Sequence, residues 1–187
     1  PFSIGYEYYK WIRIKSALNK SKKNLNILNA NGLDERIIEY QWIISELKHL
    51  KGNLLDAGST LNFPIILNKI KNNFSITIQT MYPENYSNFD EGVSYIYSDL
   101  VNQSFKENYF DVVTCVSTIE HVGCDIKMYN TTSTKKKINA NRNSYIQVIK
   151  NFKKILKNNG ILLITIPYGK HEKFNELSTQ FYNGDIN

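Results

Sequence analysis

Residues 53–64 read NLLDAGSTLNFP, and this stretch decides the fold of the chain. A short apolar run predicts a buried strand, the small residues around Gly58 predict a tight turn, and the pattern from Pro64 onward is typical of a helix. We expect Asn62 to cap this helix and Pro64 to fit its first turn, where a missing backbone N–H costs little.

The same stretch has the form of a ligand-binding turn. A buried strand that leads through a glycine turn into a helix N-terminus places free backbone N–H groups beside a small anionic or polar ligand. Gly58 is a single glycine, whereas nucleotide-binding turns usually have two or three. An ordinary strand-to-helix turn is therefore the alternative interpretation.

The composition is that of one globular domain. The chain has 187 residues, of which 42% are hydrophobic and 21% charged, so disorder is not expected. The net charge of +6 comes from dispersed lysines, and no basic stretch interleaves with aromatic residues, so we expect no nucleic-acid partner. No stretch approaches the ~18 apolar residues that a membrane span needs, so no membrane association is expected.

The two cysteines indicate the compartment. Cys115 and Cys124 belong to no CxxC pair and to no Cys/His cluster, so we expect neither a disulfide framework nor a metal site, and we expect a cytoplasmic protein. The first residue is Pro1 and no signal-peptide pattern opens the sequence. Because a natural chain begins with methionine, we expect either that residues have been removed or that the numbering begins inside a longer protein.

Residues 1–50 are predicted to form an N-terminal helical cap. The first 31 residues are rich in aromatics and lysine and have weak helical periodicity up to about Leu18. A clearer helix is predicted from Glu35 to about Leu50, with Asp34 as its cap, because apolar residues recur every three to four positions. This helix leads directly into the first strand and is suited to covering one side of a ligand crevice.

Strands and helices alternate along the rest of the chain, residues 51–187. Beyond the first strand we predict strands at 75–80, 93–97, 109–116 and 161–166, and helices after Pro64 and over 144–156. Asn158, Asn159 and Gly160 are predicted to end the last helix. The polar stretch 124–143 is longer than most strand-to-helix loops, and such loops are often functional.

This alternation predicts a parallel α/β sheet with right-handed crossovers. In a doubly wound sheet the ligand lies beyond the carboxyl ends of the strands, where the winding reverses. If the strands at Leu54 and Val112 are neighbours there, the Gly58 turn and the loop with Glu120 and His121 face one crevice.

Four segments resemble motifs of the class I S-adenosylmethionine-dependent methyltransferases. They are LLDAGS at 54–59, SDL at 98–100, FDVVTCVSTIEHVG at 110–123 and KKILKNNGILLITIPYG at 153–169, of which the last is similar to an LKPGG segment. The resemblance covers about residues 35–181. It implies a Rossmann-like, doubly wound, mainly parallel sheet with N-terminal helices, in which residues 51–187 bind S-adenosylmethionine.

A narrower resemblance concerns the acceptor. The residues DERIIEYQW before the first strand and the GSTLN turn are similar to a bacterial subgroup often linked with modification of surface polysaccharides or other small molecules. The resemblance implies a methyltransferase that acts on a small-molecule or carbohydrate acceptor. The sequence does not specify the acceptor further, and it does not specify the oligomeric state.

The resemblance also implies a set of cofactor-binding residues. Asp56, Gly58 and Ser59 of the first turn would line the methionine and ribose side of the cofactor, and Thr80 and Glu84 at the end of the second strand would hold the ribose. Asp99 after the third strand, with Leu100, would bond the adenine amino group. Ser117 and Thr118 after the fourth strand would lie near the transferred methyl group.

Three departures from the family pattern qualify this assignment. The second strand ends at Thr80 without the usual acid, so either Glu84 reaches back to the ribose or ribose binding is weakened. Asn62 stands where a further glycine is common. The sheet normally ends in a hairpin of two more strands, for which the sequence up to Asn187 has no room, so we expect the last strands to be absent.

His121 is the candidate general base. Methyl transfer from a sulfonium needs alignment of donor and acceptor, and a base only when the acceptor is a hydroxyl or a protonated amine. Imidazole exchanges protons near neutral pH, and His121 follows the fourth strand. Alternatively, His121 caps a turn or bonds Glu120. For Glu120 itself three roles are open: it orients His121, binds the acceptor or is a surface carboxylate. Asp56 has a structural alternative too, as an acceptor for turn N–H groups.

Two other functions fit parts of the sequence. A nicotinamide-dependent oxidoreductase uses a similar sheet, but its three-glycine turn is missing and the segment 117–121 has no role in it. A binding or regulatory module without catalysis agrees with the single glycine and the absent acid. Binding of S-adenosylmethionine would exclude the first alternative, and turnover would exclude the second.

Overall fold

A computed structural model describes residues 4–18, 35–84, 87–123 and 144–168. The helices in these residues are α1 (Ile4–Leu18), α2 (Arg36–Leu47), α3 (Pro64–Ile70) and α4 (Ser144–Ile155). The strands are β1 (Gly52–Ala57), β2 (Phe74–Thr80), β3 (Ser94–Tyr97), β4 (Phe110–Val116) and β5 (Leu156–Thr165). Short 3₁₀ turns cover Phe89–Glu91 and Ile119–His121.

All five strands are parallel and form one sheet in the order β3-β2-β1-β4-β5. The chain winds outward from β1 to β3 and then returns to the other side of β1, so the winding reverses between β1 and β4. There Leu54 is in register with Val112 and Leu55 with Val113. The predicted doubly wound sheet is confirmed, and the condition for a shared crevice, that these two strands are neighbours, is met.

Helices cover both faces of the sheet. Leu54 belongs to a core cluster with α1, α2 and α3, whereas the next residue, Leu55, belongs to a second cluster with α4. Both side chains are fully buried, because successive residues of a strand point to opposite faces and both faces are covered. Ile14 of α1 and Ile43 of α2 lie in the first cluster, so the predicted N-terminal cap packs onto the same core as the sheet.

The cap of α3 differs from the prediction. Phe63 occupies the N-cap position and makes no side-chain cap bond, whereas Asn62 is fully buried and bonds Glu84 and Tyr95 instead. Pro64 lies in the first turn of the helix, as predicted. The predicted cap of α2, Asp34, falls outside the described residues.

The predicted stop at residues 158–160 is wrong. α4 ends at Ile155, and β5 begins with the next residue. Leu156 pairs with Phe110 and Ile161 with Val112, so four residues of β5 face one residue of β4. The extra residues form a bulge, and the Lys157 ammonium donates to the Asp111 carboxylate at 2.8 Å within it.

Several predictions fall on residues that the structure does not describe, namely the polar loop at 124–143, which includes Cys124, and the chain beyond 168. Within the described residues, no helix combines the length and the apolar character that crossing a membrane requires.

Candidate active site

A cavity of about 540 Å³ lies beyond the carboxyl ends of the strands, at the reversal of the winding. The segments after β1, β2, β3 and β4 line it, and Arg36 of α2 lies at its edge. Most of the predicted site residues meet in this cavity: Gly58, Thr80, Glu84, Asp99, Leu100, Ser117, Thr118 and His121. The Gly58 turn and the loop after β4 therefore face one crevice, as predicted.

Hydrogen bonds hold the turn after β1 against the end of β4. Thr60 and Thr118 both donate from their hydroxyls to the carbonyl of Val116, at 2.8 and 2.9 Å. Gly58 has φ +111° and donates its N–H to the carbonyl of Gln79 at 2.8 Å. A residue with a side chain rarely adopts such a φ, so the turn requires glycine here.

Asp56 does not line the cavity but lies fully buried beneath the turn. Its Oδ2 accepts the N–H of Leu61 at 2.8 Å, and its Oδ1 accepts the hydroxyl of Thr114 at 3.2 Å. Burial raises the pKa of Asp56 to about 7, against the opposing effect of these two hydrogen bonds. The contacts agree with the structural alternative, in which Asp56 shapes the turn from below.

Ser59 and Glu120 also lie outside the cavity lining. Ser59 is buried and has φ +63°. Only 5% of Glu120 is exposed, so its interpretation as a surface carboxylate is wrong. Burial raises the pKa of Glu120, and the negative charge of Glu39 adds to this rise while the charges of His121 and Arg36 oppose it.

His121 ends the 3₁₀ turn after β4, and its exposed side chain lines the cavity. The turn is closed by the N–H of His121, which donates to the carbonyl of Thr118 at 3.0 Å. This short turn sets the imidazole on the same side as Ser117 and Thr118. The geometry therefore permits the predicted exchange of a proton with a group bound in the cavity.

One carboxylate that sequence reasoning missed, Glu39 of α2, ties the helix to the site. Its Oε1 accepts the hydroxyls of Ser117 at 2.6 Å and Thr165 at 2.5 Å. Its Oε2 accepts from Arg36 at 2.7 Å. Ser117 has a backbone φ of +39°, and the bond to Glu39 restrains its hydroxyl. The spacing of Arg36 and Glu39 allows an ion pair on a helix, but only the fold brings Ser117 to it.

Gln79, at the end of β2, is a second residue that sequence reasoning missed. It lines the cavity and is 1% exposed. Its Nε2 donates to the carbonyl of Asp99 at 3.3 Å and to the hydroxyl of Ser98 at 3.0 Å. Because the carbonyl of Asp99 can only accept, the amide nitrogen of Gln79 has to face it. The other amide atom, Oε1 of Gln79, is then left without a hydrogen-bond partner among the described residues. The position of Gln79 next to Thr80, at the carboxyl end of β2, was the available signal.

Three side chains with hydrogen-bond acceptors lie in the wall of the cavity that follows β2 and β3. Asp99 accepts the N–H of Val101 through Oδ1 at 2.9 Å, and in the described chain its second oxygen makes no hydrogen bond. Glu84 and the buried Oε1 of Gln79 lie along the same lining. A buried acceptor without a donor costs about 1–3 kcal/mol, so a ligand with hydroxyl and amino groups would offset that cost. Such a wall, in a cavity of this volume, fits a ribonucleoside.

Metal ligation is not indicated in the described ranges. They contain no group of three or more His, Cys, Asp and Glu side chains that could hold a metal ion. Cys115 is buried in β4, and burial raises the pKa of its thiol, so it is not a reactive thiolate.

Comparisons with known proteins identify the architecture. No family model and no curated protein matches the sequence. Among solved structures, the chain is similar to the Burkholderia thailandensis 1,6-didemethyltoxoflavin-N1-methyltransferase with bound 1,6-didemethyltoxoflavin and S-adenosylhomocysteine, with a TM-score of 0.57 and 10% identity over 100% of this chain and 77% of that one. The chain shares its Rossmann-like fold.

A second solved structure with this fold is the [4+2]-cyclase SpnF, with a TM-score of 0.52 and 16% identity over 77% of this chain. The chain spans about half of the cyclase, 51% of its length. One fold thus serves a methyltransferase and a cyclase, so the activity of this chain has to be argued from its site.

Proposed function

We propose that the chain binds S-adenosylmethionine in the 540 Å³ cavity and transfers its methyl group to a small-molecule or carbohydrate acceptor. The observation that carries the proposal is the cavity at the reversal of the winding, in which the glycine turn after β1 meets Asp99, Ser117 and His121. The similar methyltransferase from Burkholderia thailandensis has S-adenosylhomocysteine and a small-molecule acceptor bound.

The cofactor would extend along the carboxyl ends of the strands. Asp99 and Leu100 would hold the adenine, and Thr80 and Glu84 the ribose. The turn at Gly58 would bind the methionine part through its backbone, and Asp56 and Ser59, which lie beneath the lining, would shape that turn. Ser117 and Thr118 would then lie beside the transferred methyl group.

The bound cofactor supplies a methyl group that a sulfonium has already activated. The chain then has to align the acceptor and exclude water, and alignment alone can lower the activation barrier by roughly 7 to 11 kcal/mol. His121 accepts the proton of a hydroxyl or amine acceptor, because its side chain lines the cavity beyond Thr118. Glu120, buried next to it in the chain, orients the imidazole.

The setting of this activity is a proposal as well. We assign the protein to the cytoplasm, with residues 1–50 as a helical cap on the cofactor-binding domain of residues 51–187. The acceptor is the only partner in this proposal, which includes no nucleic acid and no membrane.

Calorimetric titration with S-adenosylhomocysteine and with NADH tests the proposal. Micromolar binding of S-adenosylhomocysteine without binding of NADH supports it, and the reverse result supports an oxidoreductase. Release of S-adenosylhomocysteine from S-adenosylmethionine in the presence of a panel of hydroxylated and amino acceptors then tests catalysis. Binding without release on any acceptor favours the binding module, and no binding of either ligand overturns the proposal.

A further inference from the structure

Asn62 joins the turn before α3 to the segment after β2 and to β3. Its side chain is fully buried at the entrance to α3. Its Nδ2 donates to Oε2 of Glu84 at 2.7 Å. Its Oδ1 accepts from Nδ2 of Asn88 at 2.9 Å and from the hydroxyl of Tyr95 at 2.8 Å. A buried amide with three partners that are all far away in the chain holds these segments in one arrangement.

The orientation of the Asn62 amide follows from the chemistry of its partners. The carboxylate of Glu84 only accepts, so the nitrogen of the amide has to face it. The backbone N–H of Asn88 donates to the hydroxyl oxygen of Tyr95 at 2.8 Å, which leaves the hydroxyl proton for Oδ1 of Asn62. A flipped amide would set Oδ1 against the Glu84 carboxylate, so the donor toward Glu84 is fixed.

Glu84 is thereby held by one oxygen only. Its Oε1 makes no hydrogen bond to any residue in the described ranges, and the residue lines the cavity. A long exposed carboxylate ordinarily samples many rotamers, and a short hydrogen bond to one oxygen restricts them. The result is a charged acceptor that is ordered before a ligand arrives.

We propose that Asn62 is a positioning residue that presents Glu84 Oε1 to the hydroxyl groups of the cofactor ribose. The inference rests on the proposed binding of S-adenosylmethionine. It accounts for two features of the chain together: β2 ends at Thr80 without a carboxylate, and the carboxylate four residues later is bonded by a fully buried side chain of another loop. A carboxylate is a strong acceptor for hydroxyl donors.

The test compares two ligands by calorimetry, S-adenosylhomocysteine and its 2′,3′-dideoxy analogue. The unchanged protein is expected to bind the first about tenfold or more tightly, since hydrogen bonds to a charged group confer discrimination of this order. Asn62→Asp keeps the shape and the acceptor for Tyr95 and Asn88 but sets an oxygen against the Glu84 carboxylate. The affinity ratio should fall toward one, through weaker binding of S-adenosylhomocysteine with little change for the analogue.

Two further variants separate positioning from simple structural support. Tyr95→Phe removes one bond of the same amide and leaves the bond between Asn62 and Glu84, so the affinity ratio should persist even if the protein unfolds at a lower temperature. Glu84→Gln should lower the ratio as Asn62→Asp does, and it decides the question if Asn62→Asp does not fold, because Glu84 is exposed.

The outcomes distinguish this inference from the proposed function. Equal weakening of both ligands by Asn62→Asp, or an unchanged ratio in Glu84→Gln, overturns the positioning role while the cofactor assignment stands. Failure of the unchanged protein to bind S-adenosylhomocysteine at all overturns the cofactor assignment itself, and the inference with it.

Discussion

Gly58 lies so close to Thr118 that a Cβ on the glycine would be 2.2 Å from the threonine Oγ1. These two residues belong to the turn after β1 and to the segment after β4, which both line the cavity. The absence of a side chain at Gly58 is therefore what allows these two segments to approach each other.

Replacement of Gly58 by alanine should damage both stability and ligand binding. The new Cβ would meet Thr118, and the backbone would keep a φ of +111° that alanine disfavours. We expect the free energy of unfolding in urea to fall by about 1–3 kcal/mol and the binding of S-adenosylhomocysteine to be lost. Gly92→Ala is the matched control, because Gly92 has φ +78° but a Cβ added there would have no neighbouring atom within 4 Å. Equal effects of the two substitutions would refute the role of the close contact.

The stability of the protein should fall as the pH rises from about 4 to about 7. Asp56 has an ordinary pKa of 3.8, and burial raises the pKa in the folded state to about 7. Between these values the folded protein keeps a proton that the unfolded chain has released, so rising pH favours unfolding. Above about pH 7 both states are ionised and this contribution becomes constant.

Asp56→Asn should make that decline shallower. The amide oxygen can still accept the N–H of Leu61, and the variant carries no titrating group at this position. Part of the decline should persist, because burial also raises the pKa of Glu120. Urea unfolding at several pH values between 4.5 and 7.5 measures the slope. Identical slopes in the two proteins would show that Asp56 does not titrate in this range.

His121→Asn should lower methyl transfer by about 10²-fold or more while the affinity for S-adenosylhomocysteine stays nearly unchanged. The reason is that His121 would act on the acceptor and not on the cofactor. Release of S-adenosylhomocysteine measures turnover, and calorimetry measures the affinity. His49→Ala is the control, since His49 is exposed and lies outside the cavity lining. Turnover at the unchanged rate would remove the base assignment.

Asp99→Asn should weaken binding of S-adenosylhomocysteine by about tenfold or more. The amide oxygen can keep the bond to the N–H of Val101, so the local fold is preserved while the charged acceptor for the adenine amino group is lost. Calorimetry gives the affinity directly. The control is Asp111→Asn, which removes a carboxylate that is paired with Lys157 outside the cavity. This variant should bind S-adenosylhomocysteine with unchanged affinity. An undiminished affinity in Asp99→Asn would show that the adenine lies elsewhere.

Much of the fold was predictable because it depends on local patterns. The nearly unbroken apolar run of β4 and the alternation of strands with helices are properties of neighbouring residues, and they were enough to predict the parallel sheet. The bulge after Leu156 was not predictable, since it depends on which residues of β4 pair with β5.

The site was predictable only in outline. The order of elements places Gly58, Asp99 and His121 at one edge of the sheet, and the cavity there confirms that placement. Sequence reasoning could not tell that Asp56 and Glu120 face inward, because the direction of a side chain in a turn depends on the atoms that surround it. It also assigned Asn62 to a helix cap, whereas its partners lie 22 to 33 residues away.

The sequence by itself determined the succession of strands and helices along the chain, the parallel α/β class and the turn segments expected at the carboxyl ends of the strands, since hydrophobic periodicity and turn residues act over short distances. The order of the strands in the sheet came from the tertiary structure. Only the tertiary structure decided which polar side chains line the cavity and which lie beneath it. The bond from Ser117 to Glu39 joins residues 78 positions apart, and the bond from Asn62 to Glu84 joins two separate loops. Such contacts follow from packing in three dimensions, which no local pattern records.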